Sequence, residues 1–170
     1  MAVEVEWRSF LLRPEPDPNR TFEKFKAYTK SWESPAAMEP RAGFRVWASS
    51  EGPPTHSIPP HVVAKAAERL DVDAAARLRW ALFEAYFQQN RDITARPVLR
   101  SLWDDAGLPG DRFEDAFAPG LGQELLMVIG QEHMEATRYG VTGVPAVRRG
   151  DEVVVGAQPV EAYRAWLSRE

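Results

Sequence analysis

Tyr139-Gly140-Val141-Thr142-Gly143-Val144-Pro145-Ala146-Val147, followed by Gly156-Ala157-Gln158-Pro159, is the stretch on which the reading of the fold turns. Gly140 suits the left-handed end of a long helix, where a Cβ would clash. Val144-Pro145 then opens an apolar run, and X-Pro is the peptide bond that adopts cis at modest cost. Pro145-Ala146-Val147-Arg148-Arg149 and Glu152-Val153-Val154-Val155 read as two short strands, and Gly150-Asp151 between them is a hairpin signal. Pro159 presets the first turn of a last helix, with Val160, Tyr163 and Leu167 on one face.

Upstream of this stretch the pattern is helical. A helix is predicted around 22–32, and 34–60 reads as a long ordered loop in which Phe44 and Trp47 supply something to pack. Pro59-Pro60 suits the start of a helix over 61–70. Asp73 is a plausible N-cap for a helix to Gln89 with Leu78, Leu82, Ala85 and Tyr86 on one face. Thr94 can cap 95–106, which Gly107 and Pro109 end. Asp111 and Glu114 have capping-box spacing for a further short helix, and 122–139 forms a long helix before Gly140. At the N-terminus, Val3-Glu4-Val5-Glu6-Trp7-Arg8-Ser9-Phe10-Leu11-Leu12 alternates apolar and polar residues and reads as a strand, stopped by Pro14, Pro16 and Pro18. The order is strand, helical block, then strand–strand–helix: an α/β arrangement with a helical insertion.

Composition excludes several function classes. The formal charge is −4 and no dense block of Lys and Arg occurs, so nucleic acid is not an expected partner. No apolar run approaches the ~18–20 residues of a membrane span, so no membrane partner is expected. Acids stand at Glu4 and Glu6 where a secretory leader carries Lys or Arg, and the sequence as written reads as cytoplasmic. The cysteine count is zero. That removes disulfides, zinc–thiolate sites and cysteine nucleophiles together.

Taken in order, these segments resemble the DsbA-like thioredoxin-fold oxidoreductases, the family that includes FrnE-type proteins and 2-hydroxychromene-2-carboxylate isomerases. There, G-V-x-G-V-P precedes the second half-sheet and G-A-Q-P opens the last helix. Val5-Glu6-Trp7-Arg8-Ser9-Phe10 resembles the family's V-E-W-R-P-F strand. Ala85-Tyr86-Phe87 with Arg91-Asp92-Ile93, and Pro53-Pro54-Thr55-His56-Ser57, resemble further family segments. The resemblance implies a thioredoxin-like core from 1–18 and 139–170, with 19–138 as helical insertion and ordered loop. It also implies that the first strand and the C-P-x-C active-site helix are missing.

The resemblance makes Gly143, Val144 and Pro145 a substrate-binding loop built on a cis-proline, presenting backbone groups to an extended peptide. No catalytic residue and no cofactor is assigned. Three functions follow from it: a truncated or cysteine-less homologue without redox activity, a non-catalytic peptide- or subunit-binding module, or glutathione- or mycothiol-linked isomerase or transferase chemistry. Partners are then a peptide or a small thiol. The resemblance also leaves 3–12 and 145–149 without a central strand between them, so either the two pair directly or a homodimer fills the gap; the homodimer is favoured.

Other residues invite chemistry and are read conservatively. His56, His61 and His133 lack helical metal-ligand spacing, so no metal site is expected. His56-Ser57 is adjacency and not a triad. Gly120, Gly122, Gly140 and Gly143 do not form a nucleotide fingerprint. Asp104-Asp105 and Glu114-Asp115 read as solvated charge, and Trp80, Phe83, Tyr86 and Phe87 as core at helical spacing.

Overall fold

A computed structural model describes residues 3–169 of the chain. The chain divides into two compact units, one of Leu11–Ile129 and one of Met1–Phe10 with Gly130–Glu170.

The Leu11–Ile129 unit is helical. Helix α1 spans Phe22–Thr29, with the Thr21 hydroxyl accepting from the Lys24 N–H, and a single 3₁₀ turn, Lys30–Trp32, continues it. Helix α2, Glu33–Met38, and a 3₁₀ turn at Pro40–Ala42 occupy part of the stretch expected to be loop. The alanines at 36 and 37 favour helix, and the prolines at 35 and 40 bound it where a missing N–H does least harm. Helix α3 is Ile58–Leu70 and α4 is Val72–Phe83. Asp71 stands between them and caps α4 by accepting from the Ala74 N–H at 2.7 Å, so the cap falls two residues before the expected Asp73. Helices α5, Arg96–Asp105, and α6, Arg112–Asp115, follow. Neither Thr94 nor Asp111 makes a side-chain cap. The Thr94 N–H and hydroxyl both donate to Asp92 Oδ1 instead, which closes the turn before α5. Helix α7 is Leu121–Arg138, and its residues 121–129 belong to this unit.

Two cores form in this unit. In the larger, Val63 and Ala67 of α3, Leu78 of α4, Leu99 and Trp103 of α5, Phe113 of α6, and Leu125 and Ile129 of α7 are all buried. The second is aromatic: Phe25, Trp32 and Trp47 are buried, with Phe44, Tyr86 and Phe87 packed against them. A π-type turn at Glu84–Gln88 extends α4 and carries Tyr86 and Phe87 into this cluster. Trp80 is exposed and Phe83 partly so, so the aromatic series splits between surface and core. Asn90 ends the π-type turn at φ 54° and holds the 44–48 loop, accepting from the Ala48 N–H at 2.9 Å and donating to the Arg45 carbonyl at 3.4 Å. Asn tolerates this left-handed conformation better than most residues.

The second unit holds the one sheet found among the described residues. Strands β1, Ala146–Arg149, and β2, Glu152–Val155, pair antiparallel with Ala146 opposite Val155 and Arg149 opposite Glu152. Gly150, at φ 59°, makes the turn. Helix α8, Val160–Leu167, buries Trp166, whose indole N–H donates to Glu152 at 2.6 Å. Arg149 donates to the carbonyls of Leu167 and Arg169, neutralising the end of α8.

Residues 3–12 are not a strand, which corrects the expectation from their alternation. A strand exists only where a neighbour completes its ladder, and alternation does not supply one. The Ser9 N–H goes to the Glu132 carboxylate at 2.7 Å, and β1 pairs with β2 alone. Direct pairing of 3–12 with β1, one of the two ways considered to close the sheet, is thereby excluded among the described residues.

Candidate functional site

The end of α7 builds the loop that carries Gly143, Val144 and Pro145. Gly140 takes φ 79°, its N–H donates to Thr137, and the Val141 N–H reaches back to Ala136 at 3.0 Å. This double closure satisfies the last helical carbonyls and buries Val141. The chain then passes through Thr142 and Gly143 to a cis Val144–Pro145 peptide. The Pro145 carbonyl accepts from the Gly156 N–H at 2.8 Å, which ties the loop to the far end of β2. Gly156 permits this with φ 86°, and its own carbonyl accepts from the Tyr163 hydroxyl of α8 at 3.4 Å. Anchored on both sides, the loop holds Val144 outward at 53 % exposure. Among the described residues the Val144 N–H and C=O make no hydrogen bond, and Val144 stands two residues before β1. Such a pair of free backbone groups can accept an extended segment.

No thiol stands anywhere in the 170 residues. The other residues singled out in the sequence are occupied structurally. Ser57 forms a backbone latch, its hydroxyl accepting from the Arg13 N–H at 3.0 Å and its N–H donating to the Arg13 carbonyl at 2.7 Å. His56 Nδ1 contacts the Thr55 hydroxyl at 3.0 Å. His133 packs against the Phe10 ring, with centroids 4.9 Å apart. Asp104 and Asp115 form local helical ion pairs with Arg100 and Arg112. Among the described residues no three His, Asp or Glu side chains come together as a metal site.

Two groups that the sequence reading passed over prove notable. Glu132 is a buried carboxylate on α7, accepting from the Ser9 N–H and facing Arg8 at 3.5 Å. Its signal was present: Leu125, Ile129, Glu132 and Ala136 recur at three and four residues, so a charge sits on the apolar stripe. Arg20 lies against the aromatic cluster with its Cζ 4.1 Å from the Phe25 centroid, and nothing in its flanking Pro- and Asn-rich sequence marks it.

The family model for the DSBA-like thioredoxin domain matches residues 1–168. The chain belongs to this family. Among curated proteins, YwbO of Bacillus subtilis is 25% identical over 174 residues, covering 99% of this chain and 82% of YwbO. Among solved structures, a candidate protein disulfide isomerase from Nitrosomonas europaea superposes with a TM-score of 0.72 at 21% identity, over 90% of this chain and 74% of its own. The cytosolic disulfide reductase DsbM of Pseudomonas aeruginosa gives a TM-score of 0.66 at 25% identity, over 92% of this chain and 78% of its own. DsbM solved with GSH gives 0.53 at 30% identity, over 68% of this chain and 59% of its own. The fold of this DSBA-like domain is thus thioredoxin-like, helix-rich, with a small two-stranded sheet. No helix among the described residues is long and apolar enough to cross a membrane.

Proposed function

We propose that this stretch of chain is a non-redox member of the DSBA-like family that binds an extended peptide at Gly143, Val144 and Pro145. The observation that carries the reading is the pairing of an anchored loop, whose Val144 backbone groups are free, with a sequence that holds no cysteine. Disulfide exchange requires a thiolate to attack sulfur, and these residues supply none. What remains is the recognition half of the family's chemistry: backbone groups for hydrogen bonds and an exposed valine for an apolar contact.

The test is reduction of insulin by dithiothreitol followed by turbidity. The purified chain is expected to match the buffer blank. Acceleration that persists through repurification overturns the reading.

A second reading is favoured by the similarity to DsbM, which has been solved with GSH. Here a small thiol occupies the same loop and brings the sulfur itself. Calorimetric titration with reduced glutathione separates the two: saturable heat supports the thiol reading, and heat only with an extended peptide supports the first. The likeness to a cytosolic reductase also supports a cytoplasmic location for this chain.

A homodimer accompanies either reading. In the sheet-bearing unit, β1 has one unpaired edge, while Val3, Val5, Trp7 and Val147 are all at least 40 % exposed. Free edges with apolar side chains gather partners. Sedimentation at micromolar concentration is expected to give twice the 19.1 kDa chain mass. A monomer with a cooperative melt would show that the edge is stable without a second copy.

A further inference from the structure

Phe25 is the centre of a group of polar residues within the Leu11–Ile129 unit. The Arg20 guanidinium lies over its ring, Cζ 4.1 Å from the centroid. Tyr28 stacks on it at 5.9 Å and Tyr86 at 6.3 Å. Arg20 Nη2 donates to the Tyr86 hydroxyl at 3.4 Å. We propose that Arg20, Tyr28 and Tyr86 form a binding site for a small oxyanion, the carboxylate or phosphate group of a ligand.

The charge balance supports this. Nearly every other arginine with a described side-chain contact faces a carboxylate, as Arg69 faces Glu124 and Arg79 faces Glu68. Arg20 forms no ion pair among the described residues, and its Nε is enclosed without a hydrogen-bond partner. A guanidinium carries five donors in a planar fork matched to oxyanions. A phenol at 3.4 Å engages one of them weakly. Burial pushes Arg20 below its ordinary range; Tyr86 pulls it partly back, and the nearby Arg13 charge pushes it down again. A bound anion would offset this cost.

The neighbours are suited to the task. Burial raises Tyr86 above its ordinary range, so at neutral pH its hydroxyl keeps a proton to donate. That hydroxyl accepts from Arg20 and gives its own hydrogen to no described group. Tyr28 is 57 % exposed, so the group opens to solvent on that side. Two bonds to Ser57, at 3.0 and 2.7 Å, fix the backbone at Arg13, whose charge acts on Arg20. A purely packing role for Arg20 over Phe25 explains the stacking; it leaves unexplained an enclosed Nε without a partner beside two phenols.

The chain is titrated with sodium phosphate and, separately, sodium acetate at matched ionic strength, following arginine Nε–H and tyrosine ring signals by NMR. Sodium chloride serves as the screening control. Saturable shifts at Arg20 and Tyr86 are expected with at least one anion, and which anion saturates assigns carboxylate or phosphate chemistry. Tyr86→Phe keeps the ring in the cluster and removes one donor, so affinity should fall about tenfold, the usual loss for a hydrogen bond to a charged group. Arg20→Gln should abolish saturation. Should that variant fail to fold, Tyr86→Phe decides, and it must weaken binding. Absence of saturation with both anions, or saturation unchanged in a folded Arg20→Gln or in Tyr86→Phe, overturns the proposal.

Discussion

Trp103→Ala is expected to lower the unfolding free energy by about 3–5 kcal/mol, the range for removing a buried Trp from a packed core. Trp103 has no exposed surface, crosses Phe113 edge-on at 5.8 Å, and donates its indole N–H to the Pro109 carbonyl at 2.9 Å. Truncation thus opens a cavity among Leu99, Phe113 and their neighbours and also strips a carbonyl of its donor. The two effects separate in a comparison with Trp47, which is equally buried but whose indole N–H has no partner. Trp103→Phe removes a hydrogen bond as well as volume and should cost about 1 kcal/mol more than Trp47→Phe, which removes volume and relieves an unpaired donor. Urea melts of the four proteins measure this. Equal losses for the two Phe variants would show that the Pro109 bond contributes nothing net.

The helices of this chain, α2 apart, were legible because each signal acts within a turn or two. Pro159 precedes α8, Gly140 ends α7, and the apolar spacing of Leu78 and Leu82 marks the buried face of α4. The errors come where two local signals compete. Asp71 and Asp73 both suit an N-cap, and Asp71 prevails because it also ends α3 in extended backbone, φ −158°, leaving its side chain free to turn back onto Ala74. The misreading of 3–12 has a different cause. Alternation reports what a segment would do beside a sheet, and only tertiary structure decides whether a neighbour is present. The loop at Gly143, Val144 and Pro145 was legible as a motif. The Arg20 group was not, because its members stand at 20, 28 and 86, and only the π-type turn at Glu84–Gln88 brings the last of them to the others.

Glu132→Ala is expected to cost about 2–3 kcal/mol and to loosen residues 3–10 selectively, because this segment has no ladder to hold it. Glu132 is 6 % exposed and Ser9 2 %, so the 2.7 Å bond between the Ser9 N–H and the carboxylate is shielded from water and charge-assisted. Alanine leaves that N–H buried and unpaired next to a Ser9 hydroxyl that already lacks a partner. It also removes one of the two acids facing Arg8, the other being the exposed Glu6 at 2.7 Å. Glu132→Gln keeps an acceptor oxygen and should cost only about 1 kcal/mol. The local effect can be read by trypsin cleavage after Arg8, which requires the segment to leave its seat. A loss of about 2 kcal/mol raises the open population roughly thirtyfold, and cleavage should accelerate in proportion while opening remains fast. The ring contact between Phe10 and His133 is a parallel tether, so Phe10→Ala should accelerate cleavage as well, and the double variant more than either. Cleavage at the wild-type rate in Glu132→Ala would mean that the Ser9–Glu132 bond does not hold the segment.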